Sequence, residues 1–353
     1  MTTKYLDSKR IEGTAEDRAG YSAVSGGWKE LGRISGSRTI NNLLTVSNLA
    51  DKRYYMILGD TQGTSTFTTD VRLNGDSGNN YSIRQSVNGA SDATYQNLNN
   101  MNFDGTGQGT DKFGVGYIAN LSTKEKLYQS HVVQRGSVGA GNDPKRGEFA
   151  GKWANTSNAI TSIGLVNRGN GTSTGGELVV LGWDPDDTHT DNFWEELASV
   201  NLSGGSANLI DSGTFTAKKY LWIQLYVSTT GGAVSQRLAF NGDTGTNYAQ
   251  RFSSDGGSDT TATGGVNIDA FNDDMVTNSG GFSNFFIVNN SANEKLGIVK
   301  TISQEAAGAT APTRDEGVLK WANTSSQITR LTFTNNKAGD MDTTTTLKVW
   351  GSN

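Results

Sequence analysis

The chain repeats itself. Asn74-Gly-Asp-Ser-Gly-Asn-Asn-Tyr81 returns 167 residues later as Asn241-Gly-Asp-Thr-Gly-Thr-Asn-Tyr248. Arg84 is matched by Arg251, and Gly89-Ala-Ser-Asp92 by Gly256-Gly-Ser-Asp259. Glu125-Lys-Leu127 is matched by Glu294-Lys-Leu296, and Pro144-Lys-Arg146 by Pro312-Thr-Arg314. Lys152-Trp-Ala-Asn-Thr-Ser157 is matched by Lys320-Trp-Ala-Asn-Thr-Ser325, and the run LVVLG (178–182) by LKVWG (347–351). The matches keep one order and their offsets drift only between 166 and 169. Chance does not produce such a series, so two tandem copies of one domain are expected. The division reads as an N-terminal arm (1–27), a first domain (28–183), an acidic linker (184–193) and a second domain (194–353).

The 353 residues suffice for two hydrophobic cores. With 45 Gly and 3 Pro, short apolar stretches alternate with runs of Ser, Thr, Asn and Gly. That spacing predicts many short strands joined by turns. Strands are expected in the first copy near 39–47, 54–59, 67–73, 81–85, 113–120, 127–133, 148–154, 160–166 and 177–181. In the second copy, 220–227 and 285–302 are the clearest. Leu347 and Val349 alternate with Lys348 and Trp350, and Leu296, Ile298 and Ile302 share one side of an extended chain. No segment sustains a 3.6-residue apolar period. The fold class is therefore all-β: two tandem β-sandwich domains of jelly-roll type, with eight or nine strands each. An immunoglobulin-like sandwich, nearer 100 residues, is the second choice. The polar segments 90–109 and 255–281 are expected as long loops at one end. Asn74-Gly75 and Asn241-Gly242 suit type I′ hairpin turns, with Gly78 and Gly245 taking further positive φ.

The net charge of −5 and pI near 5.2, without a basic run, argue against nucleic acid as a partner. The absence of cysteine excludes disulfides, thiolate metal sites and cysteine nucleophiles. The N-terminus lacks an apolar signal segment, and no stretch approaches 18 apolar residues, so synthesis in the cytoplasm without a membrane partner is expected.

Catalytic chemistry finds little to stand on, and no catalytic, cofactor or metal-ligating residue is assigned. His131 and His189 lack counterparts in the other copy; the first reads as a strand residue, the second as a solvated linker residue. Gly151-Lys152 is followed by Trp153, unlike a phosphate-binding loop. Asp76 with Asp92, repeated as Asp243 with Asp259, forms a conceivable carboxylate pair, but turn use of Asp is commoner. Asp184, Asp186, Asp187 and Asp191 could bind calcium, yet the EF-hand pattern is not met. The repeated Arg84/Arg251, Arg146/Arg314 and Glu148/Glu316 are read as ion pairs holding loops to the sandwich, against a ligand site copied twice. Trp153 and Trp321 are read as core anchors, against exposed platforms for sugar rings.

The NGDxGxNYxxR turn, the KEKL and NEKL strands, the PxR…KWANTS stretch and the closing LxVLG or LxVWG resemble a jelly-roll-like domain of uncharacterised virion proteins of tailed, especially marine, phages. The N-terminal YLDSKRIEG resembles their leader. The resemblance implies a non-enzymatic virion structural protein: a capsid decoration or minor capsid component, or a capsid-building double jelly roll. It would be located in the virion, with a homo-oligomer and other virion proteins as partners. Two alternatives stay open: a receptor- or glycan-binding module of a tail fibre or cell surface, and a self-assembling extracellular filament or sheet.

Overall fold

The computed structural model describes residues 27–353, except 40–41, 64–66, 105–110, 170, 186, 188, 204–206, 270–274, 278 and 305–307. Apart from Gly27, the expected arm lies outside the described residues.

The chain is all-β, and among the described residues it contains no helix. The first strands are β1 (Lys29–Ser35), β2 (Leu43–Ser47), β3 (Tyr54–Gly63), β4 (Thr69–Leu73), β5 (Tyr81–Val87) and β6 (Ala93–Leu98). Next come β7 (Met101–Asp104), β8 (Lys112–Ala119), β9 (Lys126–Gln134), β10 (Lys145–Trp153), β11 (Ser162–Asn167) and β12 (Ser173–Trp183). The second half holds β13 (Glu195–Asn201), β14 (Leu209–Asp211), β15 (Tyr220–Thr230), β16 (Gln236–Phe240), β17 (Tyr248–Ser254) and β18 (Thr260–Gly265). It continues with β19 (Ile268–Asp269), β20 (Gly280–Val288), β21 (Lys295–Ser303), β22 (Thr313–Trp321), β23 (Leu331–Asn335), β24 (Asp340–Met341) and β25 (Thr346–Ser352).

Each half is a large antiparallel sheet facing a small one. The large sheets run β1-β12-β3-β8-β9-β10-β5-β6 and β13-β25-β15-β20-β21-β22-β17-β18, with β24 attached to β15. The small sheets run β2-β11-β4-β7 and β14-β23-β16-β19. Place by place, the strand order is the same in both halves.

Side-chain alternation along β3 explains the layering, because successive residues of a strand point to opposite faces. Tyr55 and Ile57 enter a core shared with Val71, Phe103 and Leu165 of the small sheet. Met56 and Leu58, on the other face, are equally buried but belong to a separate cluster that includes residues of the second half. The second half has its own internal core, in which Leu221 and Ile223 meet Leu238 and Phe333. Three apolar layers therefore run through the molecule: one inside each sandwich and one between their large sheets.

Among the described residues, the twelve strands of the first half exceed the eight or nine expected. All nine anticipated segments are strands; β1, β6 and β7 are additional. Much of the polar segment 90–109 is β6 and β7, and 255–281 includes β18 and β19, so neither is a plain loop. β6 reads polar because it is an edge strand with both faces largely in water. Asn74 and Gly75 do adopt positive φ (52° and 66°), as do Asn241 and Gly242 (54° and 70°). The turn leads from β4 in the small sheet to β5 in the large one, so it is a corner between sheets and not a hairpin. The hairpin instead lies at Asn88-Gly89, between the paired strands β5 and β6. Gly78 and Gly245 are not in the left-handed region as expected; they are confined by space, since a Cβ on Gly78 would lie 2.8 Å from Asn80 Nδ2.

Asn74 also fastens the corner to the small sheet. Its Oδ1 accepts from Thr161 N (2.7 Å) and Ser162 N (3.1 Å), and its Nδ2 donates to Ala159 O (2.8 Å). Asn74→Ala is expected to cost about 2 kcal/mol, from positive-φ strain and unmade hydrogen bonds. Asn74→Gly, free of the strain, should cost less; urea midpoints of the two variants check this.

Candidate functional site

The surface with the most built structure is the contact between the two large sheets. The first half contributes Met56, Leu58, Phe113, Val115, Val133 and Val179. The second contributes Tyr220, Phe286, Val288, Leu296, Ile298 and Val318. These strands are apolar on both faces because each face is covered, one by the small sheet and the other by the opposite half.

A charged cluster lies at one side of this contact, centred on Arg146 of β10. Its Nη2 donates to Asp259 Oδ1 of the second half (2.6 Å), and its Nη1 donates to Glu148 Oε1 (2.7 Å) and Glu316 Oε2 (3.4 Å). The Arg146 side chain is only 6% exposed and that of Asp259 only 3%, so the pair is shielded from water. His131 Nε2 lies 3.4 Å from Glu148 Oε1 because β9 and β10 pair these residues directly. Lys300 lies 4.0 Å from Glu316. Beside the cluster is a cleft of about 430 Å³, lined by His131, Glu148, Arg84, Asn284, Phe286 and Lys300 among others.

Two carboxyls here face each other across the halves, and two like charges in contact do not both ionise readily. Burial, then the contact with Glu316, pushes Glu148 up to about 7. At Glu316 burial acts upward too, but the hydrogen bond from Glu148 and the nearby Lys300, Arg314 and Arg146 outweigh it and hold the group below its ordinary value. His131 is driven well down by burial and by Lys300 and Arg146, which keeps the imidazole neutral.

The sign of the pH effect follows. A carboxyl with a raised folded-state pKa favours folding fully below its unfolded value, and that contribution is lost as pH rises through the folded value. For Glu148 the window runs from 4.5 to about 7. The melting temperature of Glu148→Gln, relative to the parent, is therefore expected to climb as pH rises through that window and to level off above it. Thermal melts at pH 4.5, 6 and 8 check this.

Further polar ties surround the apolar contact. Glu177 accepts from Tyr220 Oη (2.8 Å) and Lys219 Nζ (3.0 Å). Arg251 pairs with Asp143 and donates to Pro144 O (2.9 Å). Lys320 Nζ donates to Ser137 O (2.9 Å), and Glu294 accepts from Gly139 N (2.7 Å).

The residues singled out in the sequence divide into three groups. Trp153 and Trp321 are each 1% exposed and are core anchors, so these indoles offer no platform for a sugar. Their Nε1 atoms donate to Asp76 and Asp243, both at 2.7 Å. Those Asp residues also accept from Gly78 N and Gly245 N (2.8 Å each), which gives them a turn-holding role. The conceivable pairing of Asp76 with Asp92 is not used, because Asp92 instead lies 3.3 Å from Arg84 at the surface. The repeated Arg residues differ in where their acid partners lie. Arg84 pairs within its own half, whereas Arg146 and Arg251 reach into the opposite half, to the buried Asp259 and the half-exposed Asp143 respectively.

The acidic segment 184–193 is not simply solvated. Lys52 pairs with Asp187 and lies 3.6 Å from Asp184, which accepts from Arg53 N (2.8 Å). His189, expected in solvent, has a side chain only 9% exposed; its Nε2 lies 3.1 Å from Gly27 O. Lys52 supplies the positive charge that a calcium ion would bring, and among the described residues no group of three or more His, Cys, Asp or Glu is placed to hold a metal. Asp186 lies outside the described residues.

No family model and no curated protein matches the chain. Among solved structures, the LG1-3 region of the laminin alpha2 chain aligns at 10% identity and TM-score 0.20, over 89% of this chain and 64% of that one. The present chain therefore spans just under two thirds of that structure. Mouse laminin alpha1 domains LG4-5 align at 10% identity and TM-score 0.16, over 92% and 91% of the two chains. Ail, the attachment invasion locus protein of Yersinia pestis, aligns at 7% identity and TM-score 0.13, over 77% and 99%. At such scores no argument about fold or function rests on them.

Proposed function

We propose that this chain is a non-enzymatic structural protein that works by self-assembly, as a capsid decoration, minor capsid or capsid-building component of a virus particle. The observation that carries this reading is the contact between the halves. The outward face of one large sheet is buried against another sheet of the same strand order, so this sandwich serves as a docking module for its own kind. The charged side chains at that contact are engaged with other protein groups, as befits adhesion. The resemblance of the repeated motifs to virion proteins supplies the setting.

Light scattering and negative-stain images of the purified chain test the reading. Particles larger than one chain, growing with concentration, are the expected result. A mass of one chain at every concentration would contradict it, and so would absence of the protein from purified particles probed with an antibody.

A further inference from the structure

The contact between the halves is one-sided. The first half uses the part of its outer sheet face around Phe113, Val133 and Arg146. The second half uses a different part, around Tyr220, Leu296 and Val318. Because the sheets share one strand order, each residue has a partner at the same place in the other half, and ladder pairing identifies it. Tyr54 opposes Ala119 as Tyr220 opposes Val288, and Lys126 opposes Trp153 as Lys295 opposes Trp321.

Two faces are left over. On the first half, the places of Tyr220, Phe286, Leu296 and Val318 are held by Tyr54, Tyr117, Leu127 and Ala150. These four line an apolar groove of about 600 Å³ with Trp28, and Leu127 is 59% exposed. The polar rim recurs as well. Where the second half reaches across with Lys219, Arg251, Asp259, Glu294 and Lys320, the first half carries Arg53, Arg84, Asp92, Glu125 and Lys152. Here, however, Arg84 pairs with Asp92 and Lys152 with Glu125, all four exposed. On the second half, the places of Phe113, Val133 and Arg146 are held by Phe282, Ile302 and Arg314, which are 41%, 54% and 57% exposed.

We infer that the exposed face at Phe282, Ile302 and Arg314 docks onto the groove at Tyr54, Tyr117 and Leu127 of a second copy of this chain, repeating between chains the contact already made within one. In that contact Arg314 takes the role of Arg146, and Asp92 of the next chain the role of Asp259. A head-to-tail contact of this kind leaves a complementary face at each end, so it propagates into a ring if its rotation closes and into a filament if it does not. The junction is weaker than the internal one, since Gln224, Asn284 and Lys348 stand in the places of Leu58, Val115 and Val179, Thr346 in that of Glu177 and Ala311 in that of Asp143. Assembly should accordingly be reversible and concentration-dependent.

This inference rests on the self-assembly reading, and the test separates the two. Sedimentation velocity is run on the parent, on Leu127→Asp, on Ile302→Asp and on the charge variants Asp92→Arg and Arg314→Asp. All four sites are exposed, and unchanged circular-dichroism melts confirm folding. The expected result is a parent that assembles, an at least tenfold weaker association in every single variant, and recovery when Asp92→Arg and Arg314→Asp chains are mixed. The mixture restores opposite charges at every junction, which a merely structural role for these residues would not do. Unchanged assembly in the single variants would overturn the docking faces and leave the self-assembly reading standing. A parent that stays a single chain throughout would overturn both.

Discussion

Trp153→Ala is expected to destabilise the first half by about 3–5 kcal/mol, the range for deleting a large buried aromatic side chain. Trp321→Ala should do the same to the second half. Both indoles are packed almost out of contact with water and lie parallel to a tyrosine, Tyr81 and Tyr248 respectively. Both also hold the carboxylate that closes the Asn-Gly-Asp corner. The loss thus combines a cavity with an Asp deprived of its donor. Trp→Phe retains most of the volume but not the Nε1–H, so it should fall between parent and Ala. Guanidinium unfolding followed by circular dichroism measures all of these. Equal losses at 153 and 321 are expected because the surroundings match.

Arg146→Ala should have an effect of similar size, about 3–5 kcal/mol, because it leaves buried acids without their cation. Asp259 would keep Arg251, whose Nη1 is 3.7 Å away, and Glu148 would lose the guanidinium it shares with Glu316, which retains Lys300 and Arg314. The diagnostic is the double variant. Adding Asp259→Asn to Arg146→Ala removes the stranded charge and should recover part of the loss, giving a non-additive cycle. Arg314→Ala, at the same place in the other half, should change stability by less than about 1 kcal/mol, as expected of an exposed pair. Chemical unfolding of the four variants decides this, and equal losses at 146 and 314 would show that the inter-half contact does not set their difference.

The layering was legible where a residue's environment depends on its own strand. The alternation of Leu347 and Val349 with Lys348 and Trp350 does mark the inward face, since the first two are fully buried in the second half's core. Trp153 and Trp321 recur with their flanking sequence, which suits a core anchor and an exposed platform alike; only the fold shows them buried. β6 has no strand signature because an edge strand in water carries no apolar alternation, and β1 has little because its residues are only half covered. The docking of the halves leaves one signal in the sequence. A run such as Leu178-Val179-Val180-Leu181 has no polar side, so both of its faces must be covered. Leu296 and Ile298 share a side as expected, but that side faces the other half. Sequence also gives Arg84 and Arg251 one context, whereas the fold gives them different partners. Which of two matching faces becomes buried depends on tertiary placement, and local patterning does not carry that information.

Cutting the chain between its halves tests the whole arrangement. A protease site placed within residues 184–192 and cleaved after folding yields two fragments held by the apolar contact, the ion pairs of Arg146, Arg251 and Glu177, and the surrounding hydrogen bonds. The fragments should elute together from a sizing column at low salt and micromolar concentration, and separate in the Arg146→Ala background. Fragments of the parent that part immediately, each folded and monomeric, would contradict the account.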